Sequence, residues 1–232
     1  MFVEYPLLGA QELKSSLDHW LPLVENSAIK NGDRCQSLDA LVGFIQEKMK
    51  TTAQEAVDLV FICTHNSRRS QLAQIWAQRI ADDLGLNFVR CHSAGTERTA
   101  FHPNAIAALV NRGFVVESRR MGMHEIHEVS GPNGGDSIPC FSKTLEDSSL
   151  PQKGFIAITT CDDADRACPV ISGSLCRLAL PYSDPKVSDD TPNALETYAR
   201  RSDEIAIEML YVLGQVSKAR RIAKNGRQHQ PE

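Results

Sequence analysis

The chain has 232 residues, a hydrophobic fraction of 42% and a formal net charge of −4 at neutral pH, enough to bury one core of ordinary size and carry an appendage. Acidic residues outnumber basic ones, 29 to 25, so there is no nucleic-acid footprint. No apolar run reaches the length of a membrane span, and the N-terminus lacks a secretion-type core, so a cytoplasmic location is expected. Seven cysteines with irregular spacing argue against a disulfide framework and for a reducing compartment.

Residues Ala10 to Val24 set Leu13, Leu17, Trp20, Leu21 and Val24 at helical spacing, and Leu38, Leu41, Val42, Ile45 and Met49 repeat the pattern. Two helices are expected in this extension (1–55), their stripe packed on the following domain or on a second subunit. From Asp58 onward strands and helices alternate, which predicts an α/β fold: an open parallel sheet with helices on both faces over residues 56–217. In such sheets the ligand site lies at the carboxyl end of the strands.

The first strand, Val57 to Ile62, runs into Cys63-Thr64-His65-Asn66-Ser67-Arg68-Arg69-Ser70, and a helix-patterned run follows from Gln71 to Leu84. A helix start offers unpaired N–H groups and partial positive charge, which bind a tetrahedral oxyanion and favour thiolate over thiol. Arg69 adds a fork for two oxygens of the same anion. Cys63 is thus a candidate nucleophile, and residues 64–69 a candidate oxyanion cradle. A strand over Phe88 to Cys91 leads to Ser93-Ala94-Gly95-Thr96, and Pro103-Asn104-Ala105 opens the next helix with proline in its first turn.

The stretch from Ser118 to Gly154 has the weakest pattern. Gly131 to Asp136 marks a turn before a strand over Ser137 to Phe141, and the whole insertion is expected to form a hairpin or lid near the site. His124 and His127 within it are read as a solvated pair rather than metal ligands, so no metal and no cofactor is assigned. A strand over Ile156 to Thr160 then enters Cys161-Asp-Asp-Ala-Asp-Arg-Ala-Cys168-Pro169, and Leu178 to Pro181 leads to Asp184-Pro185. Asp189 and Asp190 look like a solvated helix cap. Lys218, Arg220, Arg221, Lys224 and Arg227 make the end of the chain (218–232) a solvated basic tail. Cys35, Cys91, Cys140 and Cys176 are read as packing residues.

The Cys63 to Ser70 loop, with its strand and helix, resembles that of the low-molecular-weight protein tyrosine phosphatases, and of the thioredoxin-coupled arsenate reductases built on the same fold. The segment Cys161 to Pro169 resembles the redox-cysteine segment of the arsenate reductases in particular. The resemblance covers roughly Asp58 to Val216. It implies Cys63 as nucleophile, activated with help from Ser70, and Asp184 as the general acid, aimed by Pro185. It also implies Cys161 as first resolving thiol, and Cys168 as the thiol whose disulfide is presented to a thioredoxin-like reductant. The chain departs from the family at three places. His65 stands where the loop has glycine, Arg68 where a second loop cysteine is common, and Lys186 and Val187 where phosphatases carry aromatic residues that flank a phosphotyrosine ring. Some arsenate reductases hold a potassium ion beneath the loop; Asn66 and Ser93 match its ligands, but the glutamate position is Gln74.

The function implied is reduction of arsenate to arsenite through the Cys63, Cys161 and Cys168 relay. The alternatives are hydrolysis of phosphate monoesters through a cysteinyl-phosphate, and a non-catalytic sensor in which three thiolates bind arsenite. On one continuous helix Cys161 and Cys168 would lie about 10 Å apart, whereas a disulfide tolerates about 7 Å. The segment, acidic and closed by Pro169, is therefore expected to be weakly held and to rearrange on oxidation.

Overall fold

The computed structural model describes residues 32–51, 56–121, 124–132, 134–167 and 170–227. The expected helix over Ala10 to Val24 lies outside them. The expected second helix is α1 (Asp33–Thr51), and it turns Leu38, Leu41, Val42 and Ile45 inward. These four join the main hydrophobic cluster together with Trp76, Leu210 and Leu213, so α1 packs on the domain itself.

Strand β1 (Val57–Cys63) is buried at every position, as its apolar run dictates for a central strand covered on both faces. The sheet has the order β2-β1-β6-β7, all parallel, with β2 at Val89–Gly95, β6 at Phe155–Thr159 and β7 at Ser174–Ala179. The one charge in β1, Asp58, sits opposite Arg90 in register and accepts hydrogen bonds from Arg90 and His92 on β2. Those partners offset the cost of a buried carboxylate, and together they hold it below its usual pKa.

Helices α2 (Arg69–Asp83), α3 (Pro103–Val110) and α5 (Ala194–Arg227) form the helical layers with α1. Trp76 on α2 joins the layers: its ring meets Phe114 edge to face at 4.8 Å, and its indole N–H donates to Ser202 on α5 at 2.8 Å. The basic stretch from Lys218 to Arg227 is the helical end of α5, and Lys218 and residues 221–223 are exposed there.

The insertion is a small antiparallel sheet of β3 (Val115–Met121), β4 (His124–Ser130) and β5 (Ile138–Cys140). Its inner face contributes Val129 and Cys140 to the main core. It is not a lid. The chain leaving β5 passes directly behind the Cys63 loop.

Leu41 on α1 is fully buried. Leu41→Ala is expected to lower the unfolding free energy by about 2–5 kcal/mol in a denaturant titration. A loss below about 0.5 kcal/mol, ordinary for a surface position, would mean that α1 is an appendage and not part of the core.

Candidate active site

Cys63 ends β1 and is 4% exposed, and α2 begins at Arg69. The loop between them is held from outside by its carbonyls. Those of Cys63 and Thr64 accept from the N–H groups of Thr96 and Glu97, and that of Ser67 from His102 N–H. The His65 carbonyl accepts from the hydroxyls of Ser142 and Thr99, and that of Asn66 from the Gln71 amide. A trans peptide sets its N–H opposite its C=O, so pinning the carbonyls outward turns the loop amides inward, where an oxyanion would sit.

Although His65 stands where the family loop has glycine, the positive φ falls on its neighbour. His65 is not among the positive-φ residues, whereas Asn66 has φ 44°. Asparagine tolerates this region better than most side chains. Its side chain is fully used: the amide nitrogen donates to Ser70 Oγ at 2.9 Å, and Oδ1 accepts from Lys143 N–H at 2.9 Å. Sequence reasoning missed both Lys143 and Ser142, which brace the loop from the insertion.

It also missed Gly95. The strand β2 runs on through Ser93 and Ala94, beyond its expected end at Cys91, and stops with Gly95 beside Cys63 in register. A Cβ on Gly95 would come within 2.6 Å of Glu97 O, 2.7 Å of Thr64 O and 2.8 Å of Asn66 N. These are backbone atoms that cannot swing aside. The available signal was the glycine at the carboxyl end of a strand adjoining the loop.

Ser70 Oγ lies 3.1 Å from Cys63 Sγ. Since that oxygen already accepts from Asn66, its own proton is free to go to the sulfur. The Arg69 guanidinium spans to the far side of the site, with Nη1 on the Tyr182 carbonyl at 2.9 Å and Nη2 on Asp184 Oδ2 at 2.6 Å. Asp184 also accepts from Lys186 N–H at 3.1 Å and caps a short 3-10 turn, Pro185–Ser188. The Cys63 loop, Arg69 and Asp184 thus lie together at one edge of the sheet.

Arg68 contributes only its backbone to the loop. Its side chain turns away to Asp189 and Tyr198: Nη2 is 2.7 Å from Asp189 Oδ2, and Nε donates to the Tyr198 hydroxyl. That hydroxyl donates to Asp189 Oδ1 at 2.7 Å, and His102 stacks on the ring of Tyr198. Asp189 is therefore not a solvated cap. Its carboxyl stays below the usual range because the Tyr198 hydrogen bond and the Arg68 charge outweigh its desolvation.

Cys161 follows β6, whose Thr159 pairs with Ile62 of β1, and neighbouring strands of a sheet lie about 4.8 Å apart. Cys161 is buried, with Sγ 3.6 Å from the hydroxyl of Thr64 in the loop. Its sulfur accepts from Ala164 N–H at 3.4 Å at the start of α4 (Asp162–Ala167). Cys168 and Pro169 lie outside the described residues. Helix α4 is more firmly held than its composition suggests. Ala164 is buried, Thr159 Oγ1 donates to Asp165 Oδ1 at 2.7 Å, and Arg177 pairs with the same carboxylate.

Of the three positions that match the potassium ligands, two bond to each other, Ser93 Oγ donating to Gln74 Oε1 at 2.6 Å, and Asn66 Oδ1 accepts from Lys143 N–H, which suits a role in holding the loop's shape. His127 is buried rather than solvated, shares a proton with Ser118 at 2.8 Å and meets Phe101 edge to face. Burial pushes the Cys140 thiol up to about 12 and Cys91 well above its usual value, so both stay protonated as packing groups.

Residues 58–129 match the family described as low molecular weight phosphotyrosine protein phosphatase. Arsenate reductase 2 of Staphylococcus epidermidis is 25% identical over 152 residues, covering 62% of this chain and 96% of that protein. Arsenate reductase of Staphylococcus aureus is 27% identical over 153 residues, with the same coverage of each. Among solved structures, a low molecular weight protein tyrosine phosphatase from T. tengcongensis overlays with a TM-score of 0.47 at 17% identity, covering 69% of this chain and 99% of that one.

Proposed function

We propose that the chain, whose residues 58–129 match the family described as low molecular weight phosphotyrosine protein phosphatase, is an arsenate reductase working through a cysteine relay. The single observation that carries this reading is Cys161, a second thiol at the end of the strand next to the nucleophile's, in contact with Thr64 of the loop.

In the proposed reaction the loop amides and Arg69 bind arsenate, and the Cys63 thiolate attacks arsenic. An arsenic–oxygen bond breaks, and Asp184 protonates the departing oxygen. The Cys161 thiolate then attacks the Cys63 sulfur. A sulfur–sulfur bond forms, the sulfur–arsenic bond breaks, and its electron pair leaves with arsenic as arsenite. Cys168 attacks Cys161, which frees Cys63, and the Cys161–Cys168 disulfide goes to a thioredoxin-like dithiol. Six of the residues between the two resolving cysteines form α4, so that last disulfide is expected to need a bend or unwinding of the segment.

Phosphate monoester hydrolysis at the same loop is the second reading, favoured by the placement of Asp184 beside Arg69, which equally suits protonation of an ester oxygen. Lys186 and the exposed Val187 stand where an aromatic wall for phosphotyrosine would be. A thiol set that only bound arsenite would have no use for either Arg69 or Asp184, which weighs against the sensor.

The deciding experiment is arsenate-dependent NADPH oxidation by the purified chain with thioredoxin and thioredoxin reductase, alongside hydrolysis of an aryl phosphate. Sustained NADPH oxidation is expected. Ester hydrolysis without it would make the chain a phosphatase, and tight arsenite binding with neither activity would make it a sensor.

A further inference from the structure

We propose that Arg34, in the helix that precedes the catalytic fold, is a positioning residue for the acid. It would hold the Pro181–Tyr182 turn and, through it, the Arg69–Asp184 pair. The inference rests on the reading of Asp184 as the general acid.

The Arg34 guanidinium is fixed on three sides. One edge lies along Glu208 of α5, with Nε 2.7 Å from Oε1 and Nη2 2.7 Å from Oε2. Nη1 donates to the Pro181 carbonyl at 2.9 Å, and its carbon sits 4.5 Å over the centre of the Tyr182 ring. Glu208 is completely buried, so this anchor cannot drift into solvent. The next carbonyl along the chain, that of Tyr182, takes Nη1 of Arg69 at 2.9 Å, and Asp184 follows two residues on. Two arginines therefore grip consecutive carbonyls of one turn, Arg34 from α1 and Arg69 from the oxyanion loop.

Docking of α1 does not require Arg34. The stripe of Leu38, Leu41, Val42 and Ile45 already supplies an apolar contact, and a buried ion pair is a weak source of net stability compared with apolar packing of similar volume. What the fork supplies is geometry. Parallel bonds to Glu208, together with a third bond to a carbonyl and a stacked ring, need a planar guanidinium, and lysine cannot reproduce them. A catalytic proton donor displaced by about 1 Å can lose about a hundredfold in rate, so a brace on its turn bears directly on turnover.

The test compares phosphate esters with good and poor leaving groups, using the full chain. The p-nitrophenolate of p-nitrophenyl phosphate departs with little help from an acid, whereas phenyl phosphate needs the proton. Arg34→Lys, and the double variant Arg34→Met with Glu208→Met, are set beside Asp184→Asn as the reference. Removing both partners of the pair avoids leaving a bare buried carboxylate, and Arg34→Lys keeps the charge if the double variant fails to fold. The Arg34 variants are expected to lose about 10- to 100-fold in kcat on phenyl phosphate and less than about threefold on p-nitrophenyl phosphate, with KM unchanged for both. A general loss of folded protein would lower both rates together. If Asp184→Asn shows the selective loss and the Arg34 variants do not, Arg34 has no positioning role. If Asp184→Asn itself is unselective, the acid assignment fails and this inference with it. The absence of any ester hydrolysis by the unaltered chain would equally overturn it.

Discussion

Cys161→Ser is expected to abolish arsenate turnover, with a loss of about a thousandfold or more, equivalent to about 4 kcal/mol of transition-state stabilisation. Aryl phosphate hydrolysis by the same variant is expected to stay near the unaltered rate. The asymmetry follows from the chemistry. Reduction of As(V) needs a sulfur to take Cys63 into a disulfide while an electron pair leaves with arsenic, and a serine hydroxyl cannot do this. Hydrolysis of an ester needs only the loop, Arg69 and Asp184. The substitution is small, and an oxygen at this position keeps the contact with the Thr64 hydroxyl, now 3.6 Å from Sγ. Steady-state arsenate turnover, with single-turnover arsenite release as a second reading, distinguishes the outcomes. Full turnover in the variant would remove Cys161 from the mechanism.

Gly95→Ala is expected to impair both activities together. A methyl group here meets three backbone atoms at 2.6–2.8 Å, two of them the Thr64 carbonyl and the Asn66 amide of the loop. Relief requires moving the loop or β2, at an expected cost of about 1–3 kcal/mol in folding stability. Displaced amides no longer converge on one tetrahedral anion, so kcat/KM is expected to fall by about a hundredfold or more on either substrate. Inorganic phosphate gives an independent check, because an anion bound only by the folded loop raises Tm. The unaltered chain should gain Tm with phosphate, and the variant should gain little. A variant that still responds to phosphate and turns over normally would show that the close approach is dispensable.

The sequence was informative where chemistry is local. Cys63, Ser70 and Arg69 lie within eight residues on a strand–loop–helix unit, and the apolar run of β1 with the helical pattern after it placed that unit at the carboxyl edge of a parallel sheet. Asp184 was singled out by the resemblance of Asp184-Pro185 to the family's aspartate-proline pair. The reading fell short wherever a residue acts through a distant partner. Asp189 looks like a solvated cap until Arg68 and Tyr198 close on it. The insertion reads as a hairpin or lid; the hairpin is there, but no pattern says that Val129 and Cys140 belong to the core or that Ser142 and Lys143 reach the loop across 77 positions of sequence. The Arg34 clamp spans 174 positions. No periodicity or spacing rule encodes such a pair.

The same distances set when the protein can first work as it leaves the ribosome. Chains are made from the N-terminus at a pace slower than local structure forms, but non-local pairing must wait for its partner. The nucleophile loop is synthesised early, yet it lacks its brace until residues 142–143 emerge, its second thiol until 161 and its acid until 184. Helix α1 must wait longer still, for Glu208 and the apolar face of α5. Cys63 is thus made long before the residues that surround it, and the contacts that reach it directly or through α1 are complete only once α5 has been made.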